Sequence, residues 1–549
     1  MAAVPEYPSG ATEHWGLITY RETALMFDNK TSSADNQERV ANVIAHELAH
    51  QWFGNLITVA WWNEYYKGLK SYESDWDTDS KFLTDTLHES FTTRRRLGSR
   101  FFFTAKLDNP DQITAVFDTI SYNKGASVIR MMEGFMGAED FRQGITNFLQ
   151  KYSYKTVVTQ DLFDELTAAS SLGLDITKIM KTWDHAKGYP VISVTKNEEG
   201  LYTLKQERFL QNPDSAVGDI PSQFNYKWET HQSWLHVNDP QLEIKGVTGE
   251  WLKFNVDQRG YYRVNYALRT GRLFRISLDL SRQHVQLGQD RGLPLHEDTL
   301  ELSGFLKKER ALAPWTCAMD EFIFLNSIFR SVEDIRTGLF TFQRDLLSDL
   351  YADLGWNDES GTTTSSSSAS VPLPYPAASW KDSGKEPVPN FKALVCRYGL
   401  PEDSQSWTWL LDLFKSEKNA QRRDILLLGL CSSKSPEILK NFLEISKDEE
   451  IVRRQDYFTA LSYMSRNPWE YLVDRFSLND RIFGRFLSTA TSQFSTEERL
   501  QEIKDFFSKY PEAGAGENYR KIALENVKNN IQFIANTLSP FGLGSRKIL

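Results

Sequence analysis

The chain of 549 residues carries 63 lysines and arginines against 73 aspartates and glutamates, a formal charge of −10, and 40 % of it is apolar. That length predicts roughly three or four domains with well-filled cores, and the acidic balance disfavours nucleic acid and anionic membranes as partners. Three scattered cysteines, Cys317, Cys396 and Cys431, exclude a disulfide framework or a cysteine zinc site and allow one disulfide at most.

The first residues, MAAVPEYPSG, lack the charged start and apolar middle of a signal peptide. No apolar run reaches the roughly 20 residues that span a bilayer, so the chain as written reads as soluble and without an anchor. From Tyr7 to about Tyr189 the pattern is mixed and mostly helical, with periodic segments such as QERVANVIAHELAHQWF and YNKGASVIRMMEGFM. From Pro190 to Ala267 short alternating runs, VISVTK, LYTLKQ, WLKFNV and GYYRVNY, are separated by turn residues and predict a small antiparallel β-sandwich. Beyond Leu268 the segments SWTWLLDLFKSE, RRDILLLGLCSS, EILKNFLEIS and DYFTALSYMS read as short amphipathic helices stacked in pairs. The serine, threonine and proline content of residues 358–389 predicts a flexible insert, because such a segment cannot bury enough apolar surface to order itself.

Within the first region, the stretch VIAHELAHQWFGNL places His46 and His50 four apart with Glu47 after the first. On a helix that spacing points two imidazoles at one cation with the carboxylate beside them. Zinc favours such nitrogen donors and, in catalytic sites, leaves a position for water. Glu47 then has the place of a general base, and the chemistry is metal-assisted peptide hydrolysis. Val40, Val43, Ile44 and Leu48 predict the buried stripe that an internal catalytic helix needs. The plainer alternative at this point is a pair of histidines capping a helix face.

Upstream, GATEHWGLITYRETALMFD resembles the exopeptidase signature of the aminopeptidase N family of zinc peptidases. The usual form there is G-A-M-E-N; here Gly10, Ala11, Thr12, Glu13 and His14 depart from it at two positions. HELAHQWFGNLITVAWWN is similar to that family's zinc helix, and FDTISYNKGASVIRM, WLKFNVDQRGYYRVNY, KKERALAPWT and YPEAGAGENYRKIALENVKNNI to its later landmarks, in the same order over nearly the whole chain.

The resemblance implies a multidomain α+β fold: a thermolysin-like, mostly helical catalytic domain over 1–189, the β-sandwich over 190–267 and a solenoid-like helical domain over 268–549. It implies a zinc-dependent metalloaminopeptidase acting on peptides with a free N-terminus, at the plasma membrane or outside the cell, and leaves a homodimer open. Glu13 stands where the family binds the substrate's α-amino group, a fitting task for a carboxylate. Tyr122 stands where the family's tyrosine donates to the oxyanion; the alternative is a packed core tyrosine. Cys396 and Cys431, 35 apart, match the spacing of a disulfide in cell-surface members, the alternative being two buried free thiols.

The departures are as specific as the matches. The family's third zinc ligand is the glutamate of an N-E-G-F segment with 18 residues between it and the second histidine, a position that Leu69 takes here. Glu64 lies too close to His50 for the chain to return to the metal, and Glu73 has the length but no resemblance to the ligand segment around it. The family's amino-terminal β-domain has no counterpart in the sequence, and TTRRRLGSRFFFTAKLDNP and TGRLFRISLDLSRQHVQLGQDRG interrupt otherwise good matches. Two readings follow. One is an aminopeptidase with His46 and His50 on zinc, Glu47 as base, Glu13 on the amine and Tyr122 on the oxyanion. The other is an impaired or inactive relative that binds peptides or proteins without hydrolysing them.

Overall fold

The computed structural model describes residues 1–7, 9–60, 81–94, 120–184, 188–197, 199–208, 223–227, 232–236, 241–244, 254–266, 303–330, 332–354, 380–381, 384, 386–399, 403–464, 491–511 and 517–538. Glu64, Leu69 and Glu73 lie outside them, as does most of the serine-rich insert. The architecture is multidomain α+β, mostly helical with small sheets. No helix among the described residues is long and apolar enough to cross a membrane. The chain divides into two compact units, one of Met1–Asn55, Gly355–Ser492 and Phe507–Ala523, the other of Leu56–Leu354, Gln493–Phe506 and Leu524–Leu549.

In the first unit, strands β1 (Ala2–Val4), β2 (Ala11–Thr12) and β3 (Thr19–Arg21) form a sheet in the order β1-β3-β2. β2 runs antiparallel to β3, pairing Ala11 with Tyr20 and Thr12 with Thr19. A single-turn helix, α1 (Glu22–Leu25), leads to α2 (Ala34–Ala49), which begins where the Ser33 hydroxyl accepts the Asn36 N–H and an acidic Asp35 sits in the first turn. Asn390 adds a second cap by accepting the Ala34 N–H at 2.9 Å. The rest of the described unit is short helices, among them Pro389–Tyr398, Ser404–Ser416, Ala420–Leu430, Pro436–Ile445 and Arg454–Met464. Their core is Val395, Cys396, Trp407, Leu410, Leu426, Leu427, Leu430 and Phe442. Gly429 lets two of them meet closely, since a Cβ there would stand 2.9 Å from the Cys396 carbonyl. Cys396 and Cys431 are buried thiols not joined in a disulfide, and burial pushes the Cys396 thiol up to about 12.

The N-terminal segment is fastened to the helix Arg454–Met464 by polar bonds. Arg453 pairs with Glu22 at 2.9 Å, and Arg21 reaches Asp456 at 3.7 Å while donating to the Tyr7 carbonyl. Gln421 holds Ser32 and the Met26 carbonyl. These bonds fix the run that delivers residues 10–14 to the start of β3.

The second unit begins with β4 (Ile57–Val59), paired parallel to β5 (Lys155–Val157). A π-helical segment, Phe82–His88, runs into α3 (Glu89–Arg94), and a second one, Ile120–Lys124, runs into α4 (Gly125–Met136). Helices α5 (Ala138–Lys151), α6 (Thr159–Ala169) and α7 (Ile176–Asp184) follow. Strands β6 (Pro190–Lys196), β7 (Tyr202–Arg208), β8 (Gln223–Lys227), β9 (Gln232–His236), β10 (Gln241–Ile244) and β11 (Arg263–Tyr266) come next. Helices and sheet share one core, including Phe91, Met132, Phe135, Leu166, Met180, Trp183, Tyr189, Val194, Tyr202 and Tyr261.

Two sequence expectations for the strands change here. The sheet has the order β10-β7-β6-β11 with β11 parallel to β6, so it is mixed rather than wholly antiparallel, and β8 and β9 form a separate hairpin. A strand that returns after the long connection from β6 to β11 is free to enter parallel, which a tight hairpin forbids. The described end of the run WLKFNV, from Phe254, is not a strand. Val256–Gln258 is a 3-10 turn, with Asn255, Asp257 and Gln258 all at positive φ. The Asn255 carboxamide holds this turn by donating to the Gly260 and Tyr262 carbonyls and accepting the Gly260 N–H.

Candidate active site

Helix α2 buries an unusual face. Its most buried positions are Val40 at 7 % and Glu47 at 5 % exposure, continued by His50 at 7 % just past the helix end. Positions 40, 47 and 50 share one helical face, so a carboxylate and an imidazole occupy ground that apolar side chains usually take. Leu48, expected on the buried stripe, is 42 % exposed. The expectation followed the apolar residues, whereas the buried face follows Glu47 and His50.

His46 and His50 converge. Their Nε2 atoms are 3.1 Å apart and their rings meet edge to face with centroids 4.7 Å apart. Two nitrogens on one tetrahedral zinc stand about 3.3 Å apart, given Zn–N bonds of about 2.0–2.1 Å. The donor pair therefore fits a zinc ion. His50 Nδ1–H donates to the Phe53 carbonyl at 2.8 Å, which fixes the tautomer that leaves Nε2 with its lone pair. Gly54 makes this possible: its φ is +134°, and a Cβ there would lie 3.2 Å from His50 Nδ1.

Glu13 is carried to the same place by its backbone. Asn55 donates to the Glu13 carbonyl at 2.6 Å and Gln51 at 3.4 Å, so the end of the helix holds the residue after β2. One Glu13 carboxylate oxygen is 3.9 Å from His50 Nδ1. Ligand atoms of Glu13, Glu47 and His50 all lie within 4.8 Å of one another. Tyr20, fully buried on β3, has its hydroxyl pushed up to about 12 by burial and by the charge of Glu47.

The first unit thus brings together Glu13, His46, Glu47 and His50. Tyr122 belongs to the second unit, half-buried in the π-helical segment Ile120–Lys124. Sequence reasoning missed the supporting residues Gln51, Phe53, Gly54 and Asn55. The run QWFGN that holds them stands next to the motif, but only the folded turn shows the bonds they make.

Residues 1–183 match the peptidase family M1 domain and residues 377–529 the ERAP1-like C-terminal domain. The chain is 34 % identical over 600 residues to a glutamyl aminopeptidase of Bos taurus and 33 % over 602 residues to that of Homo sapiens, each covering 97 % of this chain and 62 % of the relative. It is 28 % identical over 613 residues to aminopeptidase N of Homo sapiens, covering 97 % and 63 %. The chain thus spans less than two thirds of the length of these relatives.

Proposed function

The chain belongs to the M1 family of peptidases, and from that premise we propose that it is a zinc-dependent aminopeptidase releasing single residues from peptide N-termini. The observation that carries the reading is the convergence of His46 Nε2 and His50 Nε2 at 3.1 Å beside buried Glu47, with Glu13 3.9 Å from His50. His46 and His50 would hold the metal. When bound, zinc supplies a Lewis acid that acidifies water and polarises a carbonyl. Glu47 accepts the proton of the attacking water and returns it to the leaving amine. Glu13 pairs with the α-ammonium of the substrate, which only a free chain end offers. Tyr122, placed by resemblance, donates to the oxyanion.

Leu69 stands at the third ligand position by resemblance, so weak metal binding is part of the proposal, with Glu64 and Glu73 as the substitutes to test. The finer architecture belongs to it as well: a thermolysin-like catalytic domain over 1–189, a β-sandwich over 190–267 and a solenoid-like helical domain over 268–549. The test is zinc content before and after dialysis together with turnover of aminoacyl chromogenic substrates, glutamyl and alanyl first. Turnover that falls about 10- to 100-fold in Glu13→Ala, with zinc content kept, supports an exopeptidase. Equal turnover of free and N-acetylated peptides overturns it. Absent turnover with retained peptide binding favours the inactive relative, the reading that Leu69 motivates.

A further inference from the structure

Tyr122 sits on a π-helical segment whose register is wider than that of the α4 helix it joins, and such segments persist only where surrounding contacts hold them. The residues that follow it supply those contacts. Asn123 donates to the Asp85 carbonyl at 3.1 Å and to Glu89 Oε2 at 3.3 Å, tying the segment to the other π-helical segment and α3. Ser127 donates to the Asn123 carbonyl at 2.7 Å. Arg130, two turns on, donates to the Gln258 and Asp257 carbonyls at 2.8 and 3.1 Å, on the turn that holds three positive φ angles.

Lys124 is the most unusual of these residues. It is 1 % exposed, and its Nζ donates to the Trp183 carbonyl at 3.1 Å. Trp183 lies on α7, so this bond ties the π-helical segment to that helix. A lysine is almost never this deeply buried without such a partner. A methionine of similar length would fill the same space without desolvating an ammonium group, so packing alone does not account for the choice.

We propose that Lys124 is a positioning residue: by tying the π-helical segment to α7 through the Trp183 carbonyl, it holds the Tyr122 hydroxyl in the orientation its donor function needs. The proposal rests on the peptidase reading for the function of Tyr122, but the tie itself stands on the hydrogen bond to Trp183.

The experiment compares the unmodified chain with Lys124→Met, Lys124→Arg, Tyr122→Phe and the double variant Tyr122→Phe/Lys124→Met. Turnover, hydrogen exchange of residues 120–125 and the thermal midpoint are measured for each. In Lys124→Met, kcat falls about 10- to 100-fold while KM stays within about twofold, because misplacing a transition-state donor leaves ground-state binding intact. Amides of 120–125 exchange about tenfold faster with the midpoint kept. Lys124→Arg restores most of the turnover and protection. The double variant loses little beyond Tyr122→Phe alone, since the two changes remove one interaction. Should Lys124→Met not fold, Lys124→Gln takes its place. Unchanged kcat and exchange overturn the proposal, as does a parallel change of kcat and KM. If the unmodified chain turns nothing over, the peptidase reading fails, and the exchange measurement alone then decides whether Lys124 holds the segment.

Discussion

Helices Ala34–Ala49 and Ala420–Leu430 belong to one unit and begin in the same way, each with a polar side chain accepting N–H groups of its first turn: Ser33 from Asn36, Asn419 from Gln421 and Arg422. They differ in what they bury. The second hides Leu426, Leu427 and Leu430 with Gln421 in its first turn; the first hides Val40 and then Glu47, with His50 following. Similar starting chemistry therefore supports different uses of the face buried towards each helix end. An apolar face contributes stability through area removed from water, whereas a polar one forgoes that contribution and gains reactive groups in a low-dielectric site. Such trade-offs are the usual mark of a functional helix.

The sharpest test of this contrast is the pair Glu47→Gln and Leu427→Ala. Glu47→Gln keeps the shape of the side chain and removes its basicity, so turnover falls about 1,000-fold or more, while zinc content and thermal midpoint hold. Leu427→Ala leaves a cavity at a site 1 % exposed and costs about 2–5 kcal/mol, read as a lowered midpoint, with zinc content per folded chain unchanged. A Glu47→Gln variant that melted as early as Leu427→Ala would show that Glu47 is a structural residue and break the comparison.

The next effect lies where helix α2 ends. Gly54→Ala places a Cβ 3.2 Å from His50 Nδ1 and 3.5 Å from its carbonyl, at a φ of +134° that side chains rarely adopt. The strain is about 1–3 kcal/mol, and displacement of the His50 ring from the Phe53 carbonyl lowers zinc affinity about tenfold. Competition with a chromogenic chelator measures it. Unchanged affinity would mean that the turn after the helix does not orient the imidazole.

The helix was legible because a period of 3.6 residues converts spacing into a shared face, whereas reading His46, Glu47 and His50 as a metal site rather than capping histidines, and Glu13 as its neighbour, took the resemblance of the flanking motifs. The direction of that face was not. Leu48 was counted inside because apolar residues ordinarily mark the core, and the buried carboxylate reversed the rule. The bonds from Gln51 and Asn55 to the Glu13 carbonyl were equally hidden, since they join residues 38 and 42 apart. In the second unit, alternation read strands correctly at Pro190–Lys196 and Tyr202–Arg208. It failed at Val256–Gln258, where an asparagine side chain replaces ladder bonds and permits positive φ. The parallel entry of β11 has no local signature, because direction is set by the long connection between the strands.

The smallest effect separates what a helix buries from how it starts. Ser33→Ala and Asn419→Ala each remove a side-chain acceptor from first-turn N–H groups, a loss of about 1 kcal/mol at either helix. The two variants differ in what remains. Ala34 N–H still donates to Asn390 Oδ1, so α2 keeps one satisfied donor at its start, whereas both N–H groups bound by Asn419 lose that acceptor together. Hydrogen exchange of the first turn should therefore rise more in Asn419→Ala than in Ser33→Ala. Zinc affinity should be the same in both, since fraying of the first turn does not reach His46, about three turns further on at 3.6 residues per turn. A fall in zinc affinity confined to Ser33→Ala would show that α2 depends on its cap along its whole length, and that its polar buried face leaves it without the local independence its counterpart has.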